Sequence, residues 1–343
     1  MNGIVRRMAA LLAAAGIWLL SGGGFYDRLS GRMAELPEEE RMKNVRVLSA
    51  AAGERAAAPS DKAPTETVVQ TMSLASMPDP TPVSLPTPVS EAVRETTIEG
   101  GMRVRNGTAY WVDAAELLTQ GPGFSLPAEE PQILIIHTHG SEAYTQAGLD
   151  RYKASDANRT EDTQFNVVRI GDELADILTE AGLRVIHDRG IYDYPSYTGS
   201  YSRAEAAIMQ YLESCPGIRV VLDIHRDALG SNGVVYKTMA EEEGSVASQI
   251  MLLVGTDESG LEHPDWRGNL AFALYLQNAV NSAFPTLMRP VELVPQRYNQ
   301  QLTPGSLILE VGSSGNTLRE ALAAIRLFGR AAAPALLDLV EEN

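Results

Sequence analysis

The stretch Pro131-Gln132-Ile133-Leu134-Ile135-Ile136-His137-Thr138-His139-Gly140-Ser141-Glu142 decides the fold. Ile133 to Ile136 is an unbroken apolar run, which a strand needs when helices cover both of its faces; a strand with one wet face alternates instead. Downstream, such runs alternate with amphipathic segments. Val167, Ile170, Leu174 and Ile177 fall at three- and four-residue intervals, and Gly182 is placed to end that helix. Arg184 to Ile186 reads as a second strand, Ser202 to Leu212 as a second helix and Ile218 to Ile224 as a third strand. Ile250 to Val254, Val291 to Val294 and Leu307 to Val311 read as further strands, with helices over Trp266 to Ala283 and Thr317 to Leu337. The alternation predicts an α/β domain over 131–340, with a mostly parallel central sheet and helices on both faces.

Working outward, residues 98–130 read as a short ordered preface: Met102 to Trp111 is strand-like, and Asp113 is placed to cap a brief helix toward Leu118. Residues 27–97 read as a disordered stalk. Pro78, Pro80, Pro82, Pro86 and Pro88 stiffen an Ala/Ser/Thr/Glu-rich stretch that has too little apolar surface to fold. In residues 1–26, Arg6 and Arg7 precede an apolar run from Met8 to Leu20. That pattern suits a secretory signal or an uncleaved membrane anchor, and the lack of a strong small-residue cleavage site favours the anchor. A single-pass N-terminal anchor with its positive residues on the cytoplasmic side puts the large domain outside the cell membrane.

Charge and cysteine count narrow the function. A formal net charge of −16, from 44 acidic against 28 basic residues, repels phosphate backbones and argues against nucleic acid. The single cysteine, Cys215, excludes an internal disulfide and a cysteine-based metal cage. Standing before Pro216 and Gly217, it reads as a structural residue at a turn. The G-x-S-x-G elbow, the G-x-G-x-x-G fingerprint and the Walker-type phosphate loop are all absent, which counts against serine-hydrolase, dinucleotide and nucleotide chemistry.

In open α/β sheets reactive groups collect beyond the carboxyl ends of strands. Three segments qualify: His137 to Glu142, Asp223 to Asp227, and Glu310. Zinc accepts imidazole nitrogen and carboxylate oxygen, and a catalytic site keeps one of four positions open. His139, Glu142 and His225 meet that requirement as metal ligands, with a tight turn at Gly140 swinging His139 and Glu142 together. Glu310, set among Leu307, Ile308, Leu309 and Val311, is costly to bury as an anion unless it faces a metal, a base or water. It is the candidate catalytic carboxylate, taking a proton from water and returning it to a leaving amine. His137 competes with His139 for the ligand role but belongs to the apolar run, so His139 is preferred. His225 also reads as a core histidine paired with Asp223 or Asp227, or as a ligand oriented by Asp223. His187 and His263 read as ordinary core or solvated histidines.

Six segments carry a resemblance: HTHGSEAYT at His137 to Thr145, DYPSYTGSYSRA at Asp193 to Ala204, VLDIHRDA at Val221 to Ala228, HPDWRGNLAFAL at His263 to Leu274, RYNQ at Arg297 to Gln300 and LILEVGSSGNT at Leu307 to Thr317. Together they resemble the stage II sporulation protein P family. The resemblance implies a fold similar to zinc-dependent N-acetylmuramoyl-L-alanine amidases, and cleavage of peptidoglycan as amidase and endopeptidase during forespore engulfment in sporulation. It matches His139 and His225 to ligands and Glu310 to the catalytic glutamate. Related amidases carry their ligating glutamate near the start of the first helix, where this chain has Gln164 to Val168; Glu142 is the substitute and Glu161 the reserve. The resemblance also implies as partners stage II sporulation protein D and a polytopic sporulation membrane protein. Arg203, Arg226, Tyr298 and Asn299 lie within the resembling segments and are candidates for binding substrate. The competing expectation is a catalytically silent peptidoglycan-binding scaffold of the engulfment machinery.

Overall fold

The computed structural model describes residues 94–97, 102–231 and 234–342. The expected anchor, 1–26, and nearly all of the expected stalk lie outside them. Among the described residues no helix is long and apolar enough to cross a membrane.

A mixed α/β domain is built on an eight-stranded sheet. Its strands, in chain order, are β1 (Arg94–Thr97), β2 (Arg103–Asn106), β3 (Ile133–Ile136), β4 (Val185–His187), β5 (Val220–Asp227), β10 (Ile250–Gly255), β11 (Val291–Val294) and β12 (Gly305–Ser313); β6 (Gly230–Ser231), β7 (Val234–Val235), β8 (Ala240–Glu242) and β9 (Ser245–Ala247) form two separate hairpins. The spatial order is β1-β2-β11-β10-β12-β5-β3-β4. Pairing is parallel except at β1–β2 and β10–β12. The mostly parallel expectation therefore holds in the half that carries β3, β4, β5 and β12. Two features were not legible in the sequence. The stretch expected to be stalk ends in a strand, and residues 103–106 of the expected preface join the main sheet beside β11.

The helices are α1 (Ala114–Gln120), α2 (Val167–Glu180), α3 (Ser200–Ser214), α4 (Trp266–Ala283) and α5 (Leu318–Leu337). Their starts are set by side chains that satisfy the free backbone N–H groups of a first turn. Asp113 caps α1 and Asn166 caps α2, accepting from Glu116 N and Val168 N at 2.9 and 3.0 Å. Thr317 and Glu320 form a reciprocal capping box at α5.

Alternation along β5 and β12 sorts the two faces of the sheet. Val220, Leu222 and Ile224, with Leu307, Leu309 and Val311, enter the large core under α2, α4 and α5. On the other face α3 packs Ala204 and Ile208 against Leu134, Ile136, Ile218 and Val221 in a much smaller core. Beyond Val221 that second face turns polar: the next residues on it are Asp223 and His225. The small core ends where the candidate site begins.

Candidate active site

His225 and Glu310 are each the sixth residue of their strand, and the parallel register of β5 and β12 makes them direct partners. They therefore meet on a sheet face near the carboxyl ends, inside the strands rather than in the loops beyond them. The turn after β3 supplies the other two groups. Glu142 N donates to His139 O at 3.0 Å, closing the turn that brings both side chains to the same place. Gly140 is needed there, because a Cβ would sit 2.8 Å from Gly190 O and 3.1 Å from Ile191 Cα.

Glu142 Oε2 lies 3.4 Å from His225 Nδ1. Two donors bound to one tetrahedral zinc stand about 3.4 Å apart when each bond is about 2.0–2.1 Å, so this pair is spaced as two ligands of one ion. On the opposite edge of the ring, Asp223 Oδ1 lies 3.0 Å from His225 Nε2, out of line for a hydrogen bond. Asp223 is itself pinned by Thr138 N at 2.8 Å and Thr138 Oγ1 at 2.6 Å. Asp223 is thus a fixed carboxylate against that edge of the ring. The ring of His139 stands edge-on to that of His225, centroids 5.3 Å apart, with its Nδ1 buried and without a hydrogen-bond partner. Glu310 Oε2 is buried and unpartnered too.

The electrostatics follow from this packing. Burial alone would lower the pKa of His225, but Asp223 and Glu142 overcome it and hold the imidazole well above its ordinary range. Positive charge is favoured at this point. His139 goes the other way, lowered to about 4 by burial and by the nearby His225, so it presents a neutral ring, the form that binds metal. Burial works to raise Glu142, yet its bond with His225 and the charge of Arg226 bring it down to about 2. Glu310 is pushed up to about 8, chiefly by burial, against the pull of His225.

The fit to zinc is good in donor chemistry and in the Glu142–His225 spacing, and two buried, unpartnered atoms, His139 Nδ1 and Glu310 Oε2, face the same cluster. Among the described residues, though, no three His, Cys, Asp or Glu side chains stand close enough to enclose an ion. His139 Nδ1 also lies 3.9 Å from Asp193 Oδ2.

Of the other candidates, buried His137 and half-buried His187 lie on the α2 side of the sheet, joined Nε2 to Nε2 at 2.8 Å, and His137 Nδ1 donates to Ile224 O at 3.1 Å. This engagement leaves His139 as the histidine of that turn on the site. Glu161 is exposed on the loop before α2. Arg226 is buried, with Nε and Nη2 donating to Ala143 O and Asn158 O at 3.1 Å each. Arg203 donates to the carbonyls of Tyr192, Ser196 and Thr198. Both guanidinium groups thus hold loops together. Asn299 Nδ2 donates to Tyr201 O at 2.8 Å, anchoring the start of α3. Arg226 also reaches the cluster, its backbone N donating to Glu142 Oε2 at 3.2 Å, and Tyr298 approaches through Tyr201, ring centroids 5.4 Å apart.

Sequence reasoning gave no role to four residues that surround the centre. Arg159 donates to Glu142 Oε1 at 3.3 Å, to Ser141 Oγ at 3.1 Å and to Asp193 Oδ2. Asp193 also accepts from Ser141 N at 3.0 Å and Ser141 Oγ at 2.6 Å, tying the β4–α3 loop to the β3 turn. Tyr197 stacks on His139 at 4.5 Å and 11°, and Tyr201 meets it edge-on at 5.4 Å. Asp193, Tyr197 and Tyr201 fall within the DYPSYTGSYSRA segment, the one signal that marked them.

Fold and site together define a mixed α/β protein with a histidine–carboxylate centre on the open part of a sheet face. The chain belongs to the stage II sporulation protein P family, whose sequence model matches residues 32–333. A curated relative, "Stage II sporulation protein P" of Bacillus subtilis (strain 168), is 24% identical over 204 residues, covering 55% of this chain and 47% of that protein. The chain thus spans about half the length of this curated relative. Among solved structures it is similar to the amidase Ami1 of Mycobacterium smegmatis (TM-score 0.37, 15% identity, 62% of this chain and 97% of the other). It is also similar to an N-acetylmuramoyl-L-alanine amidase of Clostridium difficile 630 (TM-score 0.36, 15% identity, 61% and 97%). Likenesses this distant carry no functional argument.

Proposed function

We propose that this protein is a zinc-dependent peptidoglycan hydrolase of sporulation, acting as amidase and endopeptidase in forespore engulfment. One observation carries the reading: Glu310 and His225, register partners on adjacent strands, share a buried cluster with His139 and Glu142, in a chain of the stage II sporulation protein P family. His139, Glu142 and His225 would hold the ion, and Asp223 would orient His225. Bound zinc would supply Lewis acidity toward a water and a carbonyl oxygen. Glu310 accepts the proton of the attacking water and returns it to the leaving nitrogen; a carboxyl raised toward neutrality suits both halves of that task. Residues 1–26 would tether the domain to the outer side of the cell membrane, where stage II sporulation protein D and a polytopic membrane protein would be its partners.

The test is digestion of purified sacculi with metal content measured on the same sample. Zinc near one equivalent, release of peptides with free amino termini, and loss of both on chelation are expected. The competing reading, a silent wall-binding scaffold, draws on the engagement of Glu142 by Arg159 and on the finding that, among the described residues, no three such side chains stand close enough to enclose an ion. Wall binding without any released fragment, at full zinc loading, would establish the scaffold.

A further inference from the structure

Proton shuttling by Glu310 leaves the tyrosine hydroxyls of the site without a task, and Tyr201 is the one fixed by a helix start. Tyr201 lies in the first turn of α3, half-buried, its backbone fixed by the bond from Asn299. Its ring touches His139 edge-on at 5.4 Å and 86°, and Tyr298 at 5.4 Å and 44°. Tyrosine hydroxyls in the walls around the site have acceptors: Tyr144 donates to Val311 O at 3.0 Å, Tyr152 to Tyr144 O at 2.7 Å and Tyr192 to Asp188 Oδ2 at 2.6 Å. Tyr201 makes no such bond among the described residues. If the ring alone mattered, a phenylalanine would pack against His139 and Tyr298 equally well. The acidic groups nearby do not use it either: Asp223 is held by Thr138, and Glu142 by Arg159 and by Arg226 N at 3.2 Å. A rigid helix start, an aromatic contact with a proposed ligand and a free donor together make a fixed hydrogen-bond source next to His139.

We propose that the Tyr201 hydroxyl donates a hydrogen bond to the scissile carbonyl oxygen as negative charge develops on it, which makes Tyr201 a catalytic residue of the amide hydrolysis proposed above. The inference rests on that reading. In the step, the water oxygen forms the new bond to carbon, the carbonyl pair moves onto the oxygen facing Tyr201, and the water proton passes to Glu310. The carbon–nitrogen bond then breaks as Glu310 gives that proton to the leaving nitrogen. Tyr201 keeps its own proton throughout. A donor aimed where charge appears acts on the transition state more than on bound substrate, so it raises kcat.

The experiment compares full-length wild type with Tyr201→Phe on soluble muropeptides, measuring kcat and KM separately, bound zinc, and the unfolding midpoint. A second measurement is calorimetric binding of a phosphinic analogue of the N-acetylmuramoyl-L-alanine linkage, a tetrahedral mimic that needs no turnover. Expected are a kcat about 10²–10³-fold lower, KM, zinc and midpoint unchanged, and analogue affinity weakened by a similar factor. A variant that keeps kcat and analogue affinity within about threefold, or loses only in KM, overturns the role of Tyr201 while leaving amide hydrolysis intact. A zinc-loaded wild type that releases nothing overturns the hydrolase reading, and this inference with it.

Discussion

Glu310 and His225 stand side by side in register across β12 and β5, a carboxyl held toward its protonated form next to an imidazole held toward its cation. Burial drives the first and two carboxylates drive the second. The result is a polarised pair on the sheet face that also carries Val221 and Ile308.

Replacing Glu310 by Gln preserves shape and removes proton transfer. Glu310→Gln is expected to retain zinc near one equivalent and to lose about 10²–10⁴-fold in wall hydrolysis. Elemental analysis beside a sacculus-release assay checks both, and a fully active variant would refute the proton-shuttling role.

Asp223 touches the far edge of the His225 ring and is fixed by two bonds from Thr138. Asp223→Asn removes the charge that orients and raises that ring. Zinc affinity is expected to fall about 10–100-fold, as measured by competition with a fluorescent chelator. Unchanged affinity would mean that His225 is positioned by its strand alone.

The His137–His187 pair leaves no room above Gly171: a Cβ there would lie 2.5 Å from His187 Nε2 and 2.6 Å from His137 Nε2. Ala in a helix interior normally stabilises by about 1 kcal/mol over Gly. Overpacking, at about 1–3 kcal/mol or more, opposes it, and contacts this short put the cost at the upper end. Gly171→Ala should therefore lower the urea midpoint, and a rise would show that the two rings can separate at little cost.

His263 is buried with neither ring nitrogen hydrogen-bonded among the described residues, and burial, aided by the charge of Arg297, lowers its pKa to about 4 from 6.5. Between those values the unfolded chain binds more protons at this position than the folded one. The stability associated with a neutral His263 is therefore present above pH 6.5 and is lost as pH falls through the window toward 4. Wild type should lose more of its melting temperature over that range than His263→Phe, in thermal scans at matched ionic strength. Parallel curves would show that the ring titrates without linkage to folding.

The sequence by itself determined most strands of the main sheet and the long helices, and it singled out candidate reactive groups. Backbone geometry and burial are local, and they print a period onto the chain, so Trp266–Ala283 and Val291–Val294 emerge at their observed bounds. Polar residues that interrupt apolar runs, such as Glu310 and His225, mark themselves for the same reason. Tertiary structure decided their partnerships. The offset of β12 against β5 sets Glu310 beside His225 rather than beside Asp223, and no local pattern encodes that offset. Loop closure brought Arg159 to Glu142 and Tyr197 and Tyr201 to His139, and turned His137 to the opposite face with His187. Contacts between distant segments depend on register and on how loops fold back, and both are properties of the whole packed chain.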